Sequence, residues 1–104
     1  MSVDPTAITL EETDTKGRYA FSEGGHTAEM TFSKAGATLI IIDHTEVPDA
    51  FRGEGVGLAL FTRAVADARA DGRKILPLCP FAAAQFRRHT DWADVLNAPR
   101  EDTP

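Results

Sequence analysis

The hydrophobic period of the chain changes once, and the change divides it in two. In the first half, apolar residues recur at every second position between short turns. "AITLEET" (7–13) alternates loosely, and Asp14-Thr15-Lys16-Gly17 supplies turn chemistry behind it. "RYAFSE" (18–23) sets Tyr19 and Phe21 two apart. Gly24-Gly25 marks a second turn, and "HTAEMTF" (26–32) puts Ala28, Met30 and Phe32 on one face. After the turn "SKAG", the run "ATLIIIDHTEV" (37–47) is β-branched and more continuously apolar, as in a strand with deeper burial. The pattern predicts an antiparallel meander of about four strands.

Behind "VPDAFRGEGVG" (47–57) the period becomes helical. Leu58, Phe61, Val65 and Ala68 step along one face of a helix. Arg63 and Asp67 lie four apart on another face, at pairing distance. Gly72 is placed to end that helix. "RKILPLC" (73–79) reads as a short strand, and Pro80 opens a second helix, "PFAAAQFRRH" (80–89). The strand before the glycines and the strand after the first helix are joined by a right-handed crossover and so run parallel. Trp92, Val95 and Leu96 are expected to pack the chain end on the core. Pro77 cannot donate to a strand ladder, which predicts an edge, a bulge or an opening there.

The 104 residues fit one domain spanning 1–104, with a core of about 7–96. Residues 1–6 and 97–104 are polar or rich in proline and acid, and are expected to fray. Eleven basic and 16 acidic residues give a net charge of −5, which opposes broad nucleic-acid binding. No apolar run approaches the roughly 20 residues that cross a bilayer, and the N-terminus lacks the basic start and apolar stretch of a signal peptide. A cytoplasmic protein without membrane partners is expected. The single cysteine, Cys79, excludes an internal disulfide and a cysteine-rich zinc cluster. His26, His44 and His89 are spread too widely for metal-ligand spacing, so no metal is expected.

The glycines between strand and helix admit two readings. One is a flexible turn. The other is an anion site, because the first turn of a helix carries unpaired N–H groups and a positive dipole end. Two familiar phosphate loops do not fit. Gly57 is followed by Leu58-Ala59 where a triphosphate loop needs Lys-Ser/Thr. The spacing is Gly-x-Gly-x-Gly where a dinucleotide fold needs Gly-x-Gly-x-x-Gly.

Arg52-x-x-Gly55-x-Gly57 resembles the acetyl-coenzyme A loop of the GNAT superfamily of N-acetyltransferases. Three blocks together, "HTEVP" (44–48), "RGEGVG" (52–57) and "PLCPF" (77–81), are similar to the minimal single-domain branch of that superfamily over residues 17–96. The resemblance implies an α/β (α+β) fold of the acyl-CoA N-acyltransferase type, with a mostly antiparallel, splayed sheet and two main helices. It implies acetyl transfer from acetyl-coenzyme A, the cosubstrate, to an amine on a small molecule or protein, by a monomer. It places the pyrophosphate on Gly53, Glu54, Gly55, Val56 and Gly57, with Val47 and Arg52 beside them.

In the superfamily's usual scheme a tyrosine on the last helix protonates the departing thiolate. Phe86 stands in the matching region, and the one tyrosine, Tyr19, lies in the meander. Cys79 offers another route, as an acyl acceptor at a helix N-terminus, a position that favours a thiolate. His44 is the candidate base, since imidazole titrates near neutral pH, with Asp43 and Glu46 placed to orient it or attract an ammonium. Arg87 and Arg88 could reach the adenosine phosphates or form an ordinary polar helix face. The alternative to an enzyme is a non-catalytic coenzyme A-binding module acting as sensor or interaction domain. A domain with no ligand is a third reading, which a coenzyme A thermal shift would eliminate.

Overall fold

The computed structural model describes residues 7–97. The ends expected to fray, 1–6 and 98–104, lie outside the described residues. Asn97, counted with the tail, is described and held: its N–H donates to Ile75 O at 2.8 Å.

The alternating half forms β1 (Thr9–Glu12), β2 (Lys16–Glu23), β3 (His26–Lys34) and β4 (Leu39–Glu46). Helix α1 (Val56–Asp71) crosses to β5 (Lys74–Pro77), and α2 (Pro80–Arg88) leads into a 3-10 turn at Thr90–Val95. The sheet order is β1-β2-β3-β4-β5, antiparallel through β4 and parallel between β4 and β5. This is the mixed α/β architecture with a mostly antiparallel sheet.

Period two explains which face is covered. Tyr19 and Phe21 on β2, Ala28, Met30 and Phe32 on β3, and Ile40 and Ile42 on β4 are all buried, while the residues between them are mostly more exposed. Helix α1 packs on β2, β3 and β5, and α2 on β4 and β5. Phe61 of α1 joins the two helices, with Phe86 at 5.2 Å and Trp92 at 5.4 Å between ring centroids. The helix face differs from expectation at one end. Leu58 is 40% exposed, while Val56, Leu60 and Ala64 join Phe61, Val65 and Ala68 in the core. Leu58 lies at the edge of the buried face, where Val56 and Leu60 take the core positions at the start of the helix. Gly72 ends α1 as expected, and no helix among the described residues is long and apolar enough to cross a membrane.

Two irregularities in β4 shape the site. Phe32 pairs with Ile42, but the next residue back, Thr31, pairs with His44, so Asp43 is an extra residue in β4. Such a bulge reverses the side-chain parity beyond it. Secondly, β4 pairs with β5 only from Leu39–Lys74 to Ile42–Pro77. Past Pro77 the N–H groups of Leu78 and Cys79 both turn to Ile42 O, at 3.2 and 3.3 Å. Asp43–Glu46 therefore continues with no β5 partner, and the two strands part.

Candidate functional site

The loop between β4 and α1 is built by two short turns. Phe51 N–H donates to Pro48 O, Arg52 N–H to Asp49 O and Glu54 N–H to Phe51 O. Gly53 and Gly55 adopt φ of 80° and 73°, left-handed values that an L residue rarely tolerates. These angles bring the chain straight into α1, whose first helical bond from this loop is Ala59 N–H to Gly55 O. The N–H groups of Gly53, Gly55, Val56, Gly57 and Leu58 have no backbone acceptor among the described residues. They cluster at the positive end of a 16-residue helix.

This refines the residues expected to hold an anion. The amides of Arg52 and Glu54 are consumed in turns, so neither is a free donor. Val56 is buried in the core, so any contact it makes with an anion is through its backbone N–H. The amide of Leu58, absent from the sequence expectation, joins the set. The Arg52 side chain lies 3.1 Å from Asp49 Oδ1 at the surface. Gly57 has a separate reason to be glycine: an added Cβ would stand 3.0 Å from Phe81 Cζ and 3.4 Å from Val47 Cγ2. Val47, Arg52, Gly53, Gly55, Val56 and Gly57 line one cleft of about 290 Å³, closed on its other side by Phe81, Gln85, Arg88 and His89. Glu54 is not among the lining residues. A larger depression of about 660 Å³ lies on the open face of the sheet, away from this loop. Most of its charged lining is engaged, Arg18 with Glu11 and Glu29, Glu12 with Lys34, and Asp43 with the Ser33 hydroxyl.

The second cluster stands where β4 and β5 part. Cys79 caps α2: Ala82 N–H donates to Cys79 Sγ at 3.4 Å, and Pro80 takes the first helical position. The sulfur is buried, at the positive end of α2, and Thr45 Oγ1 lies 3.6 Å away, with either atom able to donate. Thr45 points inward because of the bulge. It pairs with Met30, a core-facing residue, while His44 pairs with Thr31 on the open face.

His44 is thus not brought to Cys79. Its side chain is 61% exposed on the other face of the sheet, with Nε2 3.7 Å from Glu46 Oε1. Strict alternation from Ile40 and Ile42 would have turned His44 inward, and the extra residue at Asp43 reverses that. Thr45 is the site-lining candidate that sequence reasoning missed. Phe86 is buried against Phe61 and Trp92. The Tyr19 hydroxyl is committed to Asp67 Oδ2 at 2.8 Å. No group of three or more His, Cys, Asp or Glu side chains that could hold a metal occurs among the described residues.

A meander, an amide-rich loop opening a helix and a parted β4–β5 pair define an α/β acyltransferase fold. A family model for GCN5-related N-acetyltransferases matches residues 18–95, and the chain belongs to that family of acyltransferases. The solution NMR structure of a GCN5-like candidate N-acetyltransferase from Staphylococcus aureus is similar throughout. Its TM-score is 0.68 at 28% sequence identity, covering 94% of this chain and 96% of that one. No curated protein matches the chain significantly. Acetyl-coenzyme A is the usual cosubstrate of the family, and five unpaired amides beside an open cleft fit its diphosphate.

Proposed function

We propose that the protein moves an acetyl group from acetyl-coenzyme A to an amine, with Cys79 as the first acceptor. The observation that carries this reading is the pairing of two features: unpaired amides at the start of α1, and a buried thiol at the parting of β4 and β5. The amides of Gly53, Gly55, Val56, Gly57 and Leu58 hold the diphosphate. The pantetheine arm takes the place of a β5 partner beside Asp43–Glu46 and brings the thioester to Cys79.

The Cys79 thiolate attacks the acetyl carbonyl, forming a C–S bond as the bond to coenzyme A sulfur breaks. The departing thiolate leaves with the electron pair and takes up a proton. The acceptor amine then attacks the acetyl-cysteine, forming the C–N bond, expelling the Cys79 thiolate and releasing one proton. That proton goes to water. His44, exposed on the open face beside Glu46, takes the earlier proton that an incoming ammonium, attracted by Asp43 and Glu46, must lose before it can attack. A cysteine route removes the need for a tyrosine acid on the last helix, which Phe86 cannot supply.

Incubation with acetyl-coenzyme A, followed by intact-mass and peptide analysis, tests this. An adduct of about 42 daltons, one acetyl group, is expected on Cys79 and is lost in Cys79→Ala. Turnover of an amine with no loss in Cys79→Ala would rule out the cysteine route. The second reading is a coenzyme A-binding module without transfer, favoured by the absence of a free tyrosine hydroxyl among the described residues. Tight binding with neither adduct nor turnover across an amine panel would establish it.

A further inference from the structure

We propose that one face of α2 forms the second wall of the coenzyme A site, with Gln85 contacting the ligand and Arg88 reading its 3′-phosphate. The inference rests on the reading of the loop as the diphosphate site and adds where the adenosine end goes. Gln85 is 7% exposed, a polar residue buried within an otherwise apolar helix face. Its side-chain amide has no hydrogen-bond partner among the described residues. Arg73 Nε is the one fully enclosed polar side-chain atom left unpaired among them, so the Gln85 amide keeps some solvent contact, and Gln85 lines the cleft. A ligand in the cleft can take the hydrogen bonds that this amide otherwise makes to water.

Helical spacing fixes the rest of the wall. Phe81, Gln85 and Arg88 stand at i, i+4 and i+7 on α2, so they share one face, and all three line the cleft opposite the loop glycines. Arg87, one residue aside, does not line it. The nine residues of α2 rise along about 13 Å, from Cys79 at one end to Arg88 at the other. Coenzyme A is a linear molecule. With its thioester at Cys79 and its diphosphate on the loop amides, its adenosine must extend toward the Arg88 end. Loop amides supply partial charge only, and the chain as a whole is acidic, with a net charge of −5. A further phosphate dianion there needs a cation. Arg52 is engaged with Asp49, whereas Arg88 has no carboxylate partner among the described residues.

Calorimetric titration of coenzyme A and 3′-dephospho-coenzyme A into the wild-type chain, Arg88→Met, Arg87→Met and Gln85→Met decides it. The wild type is expected to bind coenzyme A about tenfold more tightly than the dephospho form, the effect of one charge-assisted contact. Arg88→Met abolishes that preference and leaves dephospho-coenzyme A affinity unchanged, while Arg87→Met retains the preference. Gln85→Met weakens both ligands alike. A preference that survives in Arg88→Met, or is missing in the wild type, overturns the role of Arg88. Unchanged affinities in Gln85→Met remove Gln85 from the wall. Failure of the wild type to bind either ligand would instead overturn the diphosphate reading itself.

Discussion

At the scale of the residue, the loop glycines are alike in sequence and different in cause. Gly53 and Gly55 hold left-handed backbone angles with open space where a Cβ would be, whereas Gly57 is helical and crowded by Phe81. Gly55→Val therefore acts through conformation, since a β-branched residue at that φ costs roughly 1–2 kcal/mol. It also adds a side chain to a residue that lines the cleft. We expect coenzyme A affinity to fall at least about tenfold while the circular dichroism stays native, and unchanged affinity would refute the loop as the diphosphate site. Thr45 offers a second residue-scale test. Thr45→Val removes the hydroxyl beside Cys79 and should slow acetyl-adduct formation by roughly two- to tenfold, the range of one neutral hydrogen bond. Thr45→Ser should restore the rate. Equal loss in both variants would assign Thr45 to packing alone.

At the scale of the element, most of the fold was legible because each element carries its period openly. The alternation of Tyr19–Phe21 and Ala28–Met30–Phe32 has no competing helical pattern, and Gly72 and Pro80 bound the helices by their own backbone chemistry. The bulge was not legible. Asp43 carries no local mark of being an extra residue, because the register shift is set by pairing with β3, a non-local contact. That single residue decides whether His44 or Thr45 faces Cys79, so the candidate residues could be read but not their grouping. The turns that consume the Arg52 and Glu54 amides were hidden for a similar reason: spacing counts glycines, not hydrogen bonds. The pair predicted between Arg63 and Asp67 forms at 3.0 Å, but its context was also invisible in one helix. Asp67 accepts from Tyr19 as well, and Arg63 Nη1 donates to Ile8 O at 3.0 Å, so α1 is tied to β2 and to the segment entering β1. Asp67→Ala leaves both donors without their carboxylate and should cost about 2–3 kcal/mol in urea unfolding. Tyr19→Phe, which removes one hydrogen bond and no carbon, should cost about 1 kcal/mol. Equal losses would mean that packing rather than the network is being measured.

At the scale of the whole molecule, helices cover one face of the sheet and the core is a single layer between them. Tyr19 lies fully buried in that layer under α1, and burial, reinforced by its hydrogen bond to Asp67, pushes its phenol well above the usual tyrosine range. The unfolded chain, with an ordinary phenol, loses this proton near pH 10, while the folded chain keeps it. A folded-state pKa raised above the unfolded one gives a contribution that is complete below about pH 10 and declines as pH rises beyond it. The opposite sign holds for Asp94, whose carboxyl is lowered by its hydrogen bond to Arg69. Its contribution is present at neutral pH and lost as pH falls, and exposure to solvent keeps it small. The alkaline limb is therefore where the interior controls stability. Unfolding free energy of the wild type should fall above pH 10 by up to about 1.4 kcal/mol per pH unit from this one group, beyond whatever the lysines contribute. Tyr19→Phe retains the lysines and lacks the phenol, so the difference between the two chains isolates it. Urea melts from pH 8 to 11 should show the stability gap between them narrowing and then reversing as pH rises. A constant gap would mean that the Tyr19 phenol ionises in the folded protein as readily as in the unfolded chain.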